Sequence, residues 1–162
     1  DSSTSRGLGD VYKRQLCKIG RMDKAYKILL QTKCPSWLYE VKQGATTIWE
    51  NYISYKEDGS PVMTSLNHYA FGCVDDWMFR KISGIDMAAS GFKKIVIAPE
   101  TNNAFTSAKR TYMSEYGKVG AEWSMEEGKF KLKVEIPCNT TATVKLPDGR
   151  LYEVGSGIYQ FE

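Results

Sequence analysis

Histidine occurs once in these 162 residues, as His68, and the four cysteines, Cys17, Cys34, Cys73 and Cys138, form no C-x-x-C pair. With no histidine at ligand spacing from them, the pattern excludes the usual zinc sites, and no metal is expected. Cys17 and Cys73 fall in segments with a helical pattern, where a buried free thiol acting as a small hydrophobe is the simpler reading than a disulfide. No window approaches the roughly 18 consecutive apolar residues of a membrane span, so no membrane partner is expected. Basic and acidic residues number 22 and 19 and are interspersed, leaving a net charge of +3 and no basic block to form a nucleic-acid groove. What remains is ordinary for one sizeable globular domain or two small ones, with 42% apolar residues.

The chain begins without periodicity. Residues 1–15 are rich in Ser, Gly and Arg, and Asp10-Val11-Tyr12-Lys13-Arg14-Gln15 resembles the translation of a transposon end sequence used in shotgun sequencing libraries. The segment therefore reads as a non-native leader to be set aside in fold reasoning, with a native flexible tail as the alternative. A leader of this kind implies that the chain is the C-terminal piece of a longer one. The lack of a signal peptide is then uninformative about compartment.

From Arg21 to Thr32 the apolar residues Met22, Ala25, Tyr26, Ile28, Leu29 and Leu30 recur as one face of a helix. Pro35 in a first turn, Trp37, Leu38 and Val41 behind it and Gly44 at the end predict a short second helix. The polar cluster Lys56-Glu57-Asp58-Gly59-Ser60-Pro61 predicts a surface loop over 51–64. A long helix is expected next, capped by Ser65 or Asn67, with Phe71, Val74, Met78 and Ile82 on one face and Tyr69, Cys73 and Trp77 on another.

After Gly84 the apolar period changes from 3.6 to 2, which sets the expected domain boundary between residues 16–85 and 86–162. Lys94 to Ala98 is a strand stopped by Pro99. Phe130, Leu132, Val134 and Ile136 alternate with charged residues, and Ala142, Val144 and Leu146 repeat the pattern. Glu126-Glu127-Gly128 and Pro147-Asp148-Gly149 supply hairpin turns, and 151–162 supplies one or two closing strands. Short strands at this spacing predict a β-sandwich following a helical part.

Chemistry concentrates at two places, Gly44-Ala45-Thr46-Thr47-Ile48-Trp49-Glu50 and Ser65-Leu66-Asn67-His68-Tyr69-Ala70-Phe71-Gly72. Cleaving a glycosidic bond requires two carboxyl groups, one protonating the leaving oxygen and one activating water or attacking the sugar. Glu50 can be one of them, with Trp49 desolvating it or pressing an apolar face on a sugar ring. From spacing alone, an exposed loop glutamate is the simpler reading. His68 can bind a hydroxyl or steady Glu50, or be a core histidine satisfied by backbone. Tyr39, Tyr52, Tyr55, Tyr69, Trp37 and Trp77 can form a saccharide platform or simply core. Adjacent Asp75 and Asp76 point about 100° apart on a helix and are structural. Asn139-Thr140-Thr141 matches a glycosylation acceptor but is most simply turn chemistry.

In order along the chain, Pro35-Ser36-Trp37, the run Gly44 to Glu50, the run Ser65 to Gly72 and Gly91-Phe92-Lys93-Lys94-Ile95 resemble the C-terminal end of bacterial α-L-rhamnosidases, glycoside hydrolase family 78. Asn139-Thr140-Thr141-Ala142 and Gly157-Ile158-Tyr159 add to the likeness, which covers Gly20 to Glu162. The resemblance implies an α+β chain, the last helices of an (α/α)6 barrel followed by an antiparallel β-sandwich. It implies inverting hydrolysis of terminal, non-reducing α-L-rhamnose from glycosides and polysaccharides, without cofactor or metal. By motif, Glu50 matches the general base, His68 a rhamnose contact and Trp49 a supporting neighbour. The general acid and the remaining sugar-gripping residues belong to earlier barrel helices, so this chain alone is expected to be inactive. Where the family often continues with arginine and tryptophan, this chain has Asn51 and Tyr52, a departure that bears on the aglycone. The competing readings are a non-catalytic glycan-binding sandwich using Trp123, Tyr112 and Tyr116, and a different glycosidase built on a helical barrel.

Overall fold

A computed structural model describes residues 20–162 apart from Glu57, Ala70 and Cys73, so the leader, Cys17 and Cys73 lie outside the described residues. The chain divides into two compact units, residues 1–75 and 76–162.

In the first unit, helix α1 (Met22–Leu30) buries Ala25, Tyr26 and Leu29, which its 3.6-residue period places on one face. It ends earlier than expected, because Gln31 is already extended. Gln31 Nε2 instead donates to the carbonyls of Lys33 and Pro35, at 3.3 and 3.0 Å. Helix α2 (Trp37–Lys42) is capped by Ser36, whose Oγ accepts the Tyr39 N–H at 3.0 Å. Pro35 therefore stands before the cap and not in the first turn. At the other end Gly44 adopts φ +83°, the left-handed conformation that terminates helices.

The long helix expected from Ser65 is not formed there. Residues 65–69 are irregular, and two of their backbone groups are engaged elsewhere: His68 N–H donates to Ile48 O at 2.8 Å, and Ser65 O accepts Glu50 N–H at 2.9 Å. Ser65 Oγ and the Asn67 backbone close a local turn, so neither residue caps a helix. Helix α3 is confined to Val74–Trp77 and passes directly into a π-helical turn, Met78–Ile82. There the wider i→i+5 spacing carries Met78 to 36% exposure and out of the expected apolar stripe.

The second unit is two four-stranded sheets. One has the order β1-β2-β6-β7, from Ile85–Met87, Lys94–Ile97, Thr141–Lys145 and Leu151–Val154. The other has the order β3-β4-β5-β8, from Ser107–Ser114, Gly117–Glu126, Lys129–Ile136 and Gly157–Phe161. Strict alternation turns Ile95, Ile97, Val119, Ala121, Trp123, Leu132, Val134, Ile136, Ala142 and Val144 into one apolar core. Glu127 and Gly128, at φ 50° and 78°, make the two-residue turn between β4 and β5 that the sequence signals.

The expectation of an antiparallel sandwich requires one correction, because β2 and β6 pair in parallel, Lys94 with Thr141 through Ile97 with Val144. The chain leaves the first sheet after β2, builds β3 to β5 in the second, and returns in the same direction. Gly84, at φ +83°, precedes β1 at a point where a Cβ would lie 2.3 Å from the Pro99 nitrogen. Only glycine allows this approach.

Candidate active-site segment

Residues 47–56 run out and 60–68 run back as an irregular two-armed segment. Val62 N–H donates to Ser54 O and Lys56 N–H to Ser60 O, both at 2.9 Å, and Tyr55 bridges Pro61. The tip is the turn that the polar cluster predicts, with Asp58 Oδ1 accepting the Ser60 N–H at 2.8 Å. The stretch expected to be a plain surface loop is thus a paired arm that sets the position of Glu50.

Alternation along the extended run determines what each residue faces. Trp49 turns inward, 4% exposed, with Tyr55 edge-on at 5.4 Å, while Ile48 and Glu50 are half-buried. His68 N–H donates to Ile48 O at 2.8 Å, which ties the returning arm to the residue two before Glu50. The His68 ring stacks on Tyr69, 5.1 Å between centroids and 18° between planes, and Tyr69 is 85% exposed.

The Glu50 carboxylate is held by its partner arm. Oε2 accepts the Ser65 N–H at 3.0 Å and the Thr64 hydroxyl at 3.3 Å. Thr64 Oγ1 in turn accepts from Asn51 Nδ2 at 2.8 Å. The departure at Asn51 thus has a local use, orienting the hydroxyl that touches Glu50. At the next position Tyr52 stacks on Phe71 at 4.3 Å, with Trp37 edge-on to both. The Trp37 indole donates to Phe71 O at 3.0 Å, anchoring the chain just after the His68-Tyr69 stack.

Glu40 was not singled out by sequence reasoning. It lies on α2, 1% exposed, and its Oε2 accepts the Trp49 N–H at 3.3 Å. Burial pushes its carboxyl above the ordinary range, opposed by the Trp49 N–H bond. The sequence carried a signal, since Trp37 and Glu40 are three apart and share the buried face of α2.

These features coincide with matches to known proteins. A family model described as the bacterial α-L-rhamnosidase six-hairpin glycosidase domain matches residues 10–82, and one described as the bacterial α-L-rhamnosidase C-terminal domain matches residues 84–160. The chain belongs to the bacterial α-L-rhamnosidase family. It is 38% identical to an α-L-rhamnosidase of Streptomyces avermitilis over 90% of this chain and 16% of that one. To one of Formosa agariphila it is 43% identical over 82% of this chain and 15% of that one. The solved structure of native α-L-rhamnosidase from Aspergillus terreus superposes with a TM-score of 0.87 at 38% identity, covering 91% of this chain and 18% of that one. That of the Streptomyces avermitilis enzyme complexed with L-rhamnose gives 0.84 at 36%, covering 90% and 16%. The chain thus spans less than a fifth of the length of these relatives.

Family membership agrees with the fold class expected from the motifs, the helical end of a six-hairpin domain followed by a β-sandwich. Of the residues singled out, Glu50 and His68 stand on the two arms of one segment, joined by the Ile48–His68 and Glu50–Ser65 backbone bonds, while Trp49 is buried. Trp37 and Trp77 are also core, leaving Tyr55 and Tyr69 as the exposed members of the expected platform. The row of sandwich aromatics is not formed. Trp123 is 1% exposed, its indole donating to Ile82 O at 2.7 Å. Tyr112 packs on Phe92 and Phe79, and Tyr116 lies under the Lys93 ammonium at 4.9 Å. Asp76 binds Arg80 at 2.8 Å, a structural pair as expected. Asn139 takes φ 59° in a turn where Thr140 Oγ1 donates to Pro137 O at 2.7 Å. Among the described residues no group of three His, Cys, Asp or Glu side chains could hold a metal ion.

Proposed function

We propose that this chain is the C-terminal, base-bearing part of an α-L-rhamnosidase that removes terminal, non-reducing α-L-rhamnose from glycosides and polysaccharides with inversion. Residues 16–85 then close the six-hairpin catalytic domain and 86–162 form the accessory sandwich. The single observation that carries the reading is the anchoring of Glu50. Within the family motif, its Oε2 is fixed by the Ser65 N–H and the Thr64 hydroxyl, on the same arm that carries His68.

In this role the ionised Glu50 takes a proton from a water poised on the face of the sugar opposite the leaving group. Hydrogen bonds to Oε2 keep the charge localised and the carboxylate plane aimed. Inversion places a second carboxyl about 6.5–9.5 Å away, across the sugar, to protonate the departing oxygen. That acid comes from a part of the longer enzyme that precedes this chain. His68, backed by Tyr69, contacts a sugar hydroxyl, and Trp49 supports Glu50 from beneath. Hydrolysis by two carboxyl groups requires neither metal nor cofactor. The relative crystallised with L-rhamnose supports the sugar class.

Assaying the full-length parent and this chain side by side on aryl α-L-rhamnoside and aryl glucoside tests the proposal. Turnover of the rhamnoside by the parent alone is expected. A parent that prefers the glucoside would assign the chain to a different specificity, and turnover by the chain alone would contradict the division of acid and base.

A further inference from the structure

Successive N–H groups of an extended segment point to opposite edges, so a strand at the margin of a pair leaves alternate donors without a neighbour. The catalytic run has one such margin. Glu50 N–H points to the returning arm and meets Ser65 O at 2.9 Å. Trp49 N–H points the other way, into the core, where no strand among the described residues accepts it. The Glu40 side chain meets it there with Oε2 at 3.3 Å. The same residue's backbone carbonyl accepts the Gln43 and Ala45 N–H groups, both at 3.0 Å. One residue of α2 therefore ties down the beginning and the end of the run 45–49.

We propose that Glu40 is a positioning residue for Glu50: its carboxyl replaces a neighbouring strand at the inner edge and, with Ser65 at the outer edge, fixes the backbone from which the Glu50 side chain projects. Glu40 touches neither sugar nor water. The inference rests on the proposed role of Glu50 as base.

An ionised carboxylate is poorly suited to this place. It is 1% exposed, a single amide donor contacts Oε2, and Oε1 has no hydrogen-bond partner among the described residues. Burying an ion with so little compensation is costly, whereas a protonated carboxyl still offers its carbonyl oxygen to Trp49. Glutamine matches that protonated form in shape and charge. Aspartate keeps the acid but is one methylene too short to reach, and alanine removes the clamp. Catalysis is sensitive to such displacement, a shift of about 1 Å costing roughly 10²-fold.

The experiment compares Glu40→Gln, Glu40→Asp and Glu40→Ala in the full-length parent on aryl α-L-rhamnoside, with Glu50→Gln as reference and thermal midpoints measured for all. Glu40→Gln is expected to stay within about 3-fold of the parent in kcat, since the Trp49 N–H keeps its acceptor. Glu40→Asp and Glu40→Ala are expected to lose about 10- to 100-fold in kcat with KM within about 2-fold, at temperatures well below their midpoints. If Glu40→Ala does not fold, the Gln and Asp pair decides. An active Glu40→Asp, or a Glu40→Gln as impaired as Glu40→Asp, overturns the clamp. Full activity in Glu50→Gln overturns the base assignment instead, whereas an inactive Glu50→Gln beside an unaffected Glu40 series overturns this inference alone.

Discussion

Glu50 and Ser65 exchange two hydrogen bonds: Glu50 N–H donates to Ser65 O at 2.9 Å, and Ser65 N–H donates to Glu50 Oε2 at 3.0 Å. Backbone and side chain of one residue are thus fixed by the backbone of the other. A carboxylate held by main-chain groups keeps its aim without spending the motion of a long side chain, which in the role proposed for Glu50 favours rate over mere binding.

Thr64 adds a second donor that can be removed by itself. Thr64→Val keeps the branched shape and deletes the hydroxyl shared by Asn51 and Glu50. In the parent this should lower kcat about 3- to 10-fold, the worth of one ordinary hydrogen bond, and Thr64→Ser should restore most of it. Steady-state kinetics on an aryl rhamnoside check both.

Tyr69 is exposed and its ring backs that of His68. Tyr69→Ala should therefore shift stability by no more than about 0.5 kcal/mol, as for an exposed site. A stacked pair is worth about 0.5–1.5 kcal/mol, so KM should rise about 2- to 10-fold through the loosened imidazole. A thermal melt beside a KM measurement distinguishes this from simple core damage.

Trp123 is a test of the sandwich as scaffold. Trp123→Phe leaves the Ile82 carbonyl without its donor in the core and should cost about 1–3 kcal/mol in denaturant unfolding. Any glycan affinity of the second unit should be indifferent to it, because the ring is not at the surface.

Glu40 predicts a pH dependence of stability. Its folded carboxyl is raised above the ordinary 4.5, chiefly by burial, so the folded state holds a proton that the unfolded chain releases first. Stability should fall as pH rises from about 4.5 through the raised folded value and be level beyond it. Glu40→Gln should flatten that fall, seen in thermal midpoints of the chain across pH, and the two proteins should converge below pH 4.5.

The sandwich was the most legible part of the chain, because alternation such as Phe130 to Ile136 admits one pairing face and turns such as Glu127-Gly128 fix register. The parallel β2–β6 pair was not, since period 2 says nothing of strand direction. The segment 65–72 misled in the opposite sense. Phe71, Val74, Met78 and Ile82 are spaced for a helix, yet long-range backbone bonds to 48 and 50 claimed the groups its first turns would need. At the candidate site, the motifs pointed to Glu50, His68 and Trp49, but the inward turn of Trp49 depended on pairing that only the fold reveals. Glu40 went unnoticed because its importance lies in what it touches and not in any spacing.

The kcat of Glu50→Gln in the full-length parent tests the central claim most directly, because glutamine keeps the size and one acceptor oxygen of Glu50 while removing its ability to take a proton. With folding verified by an unchanged thermal midpoint, the rate on aryl α-L-rhamnoside should fall by about 10²- to 10⁴-fold, with KM little altered. A folded Glu50→Gln enzyme that turns over at the parent rate would contradict the assignment of Glu50 as the base.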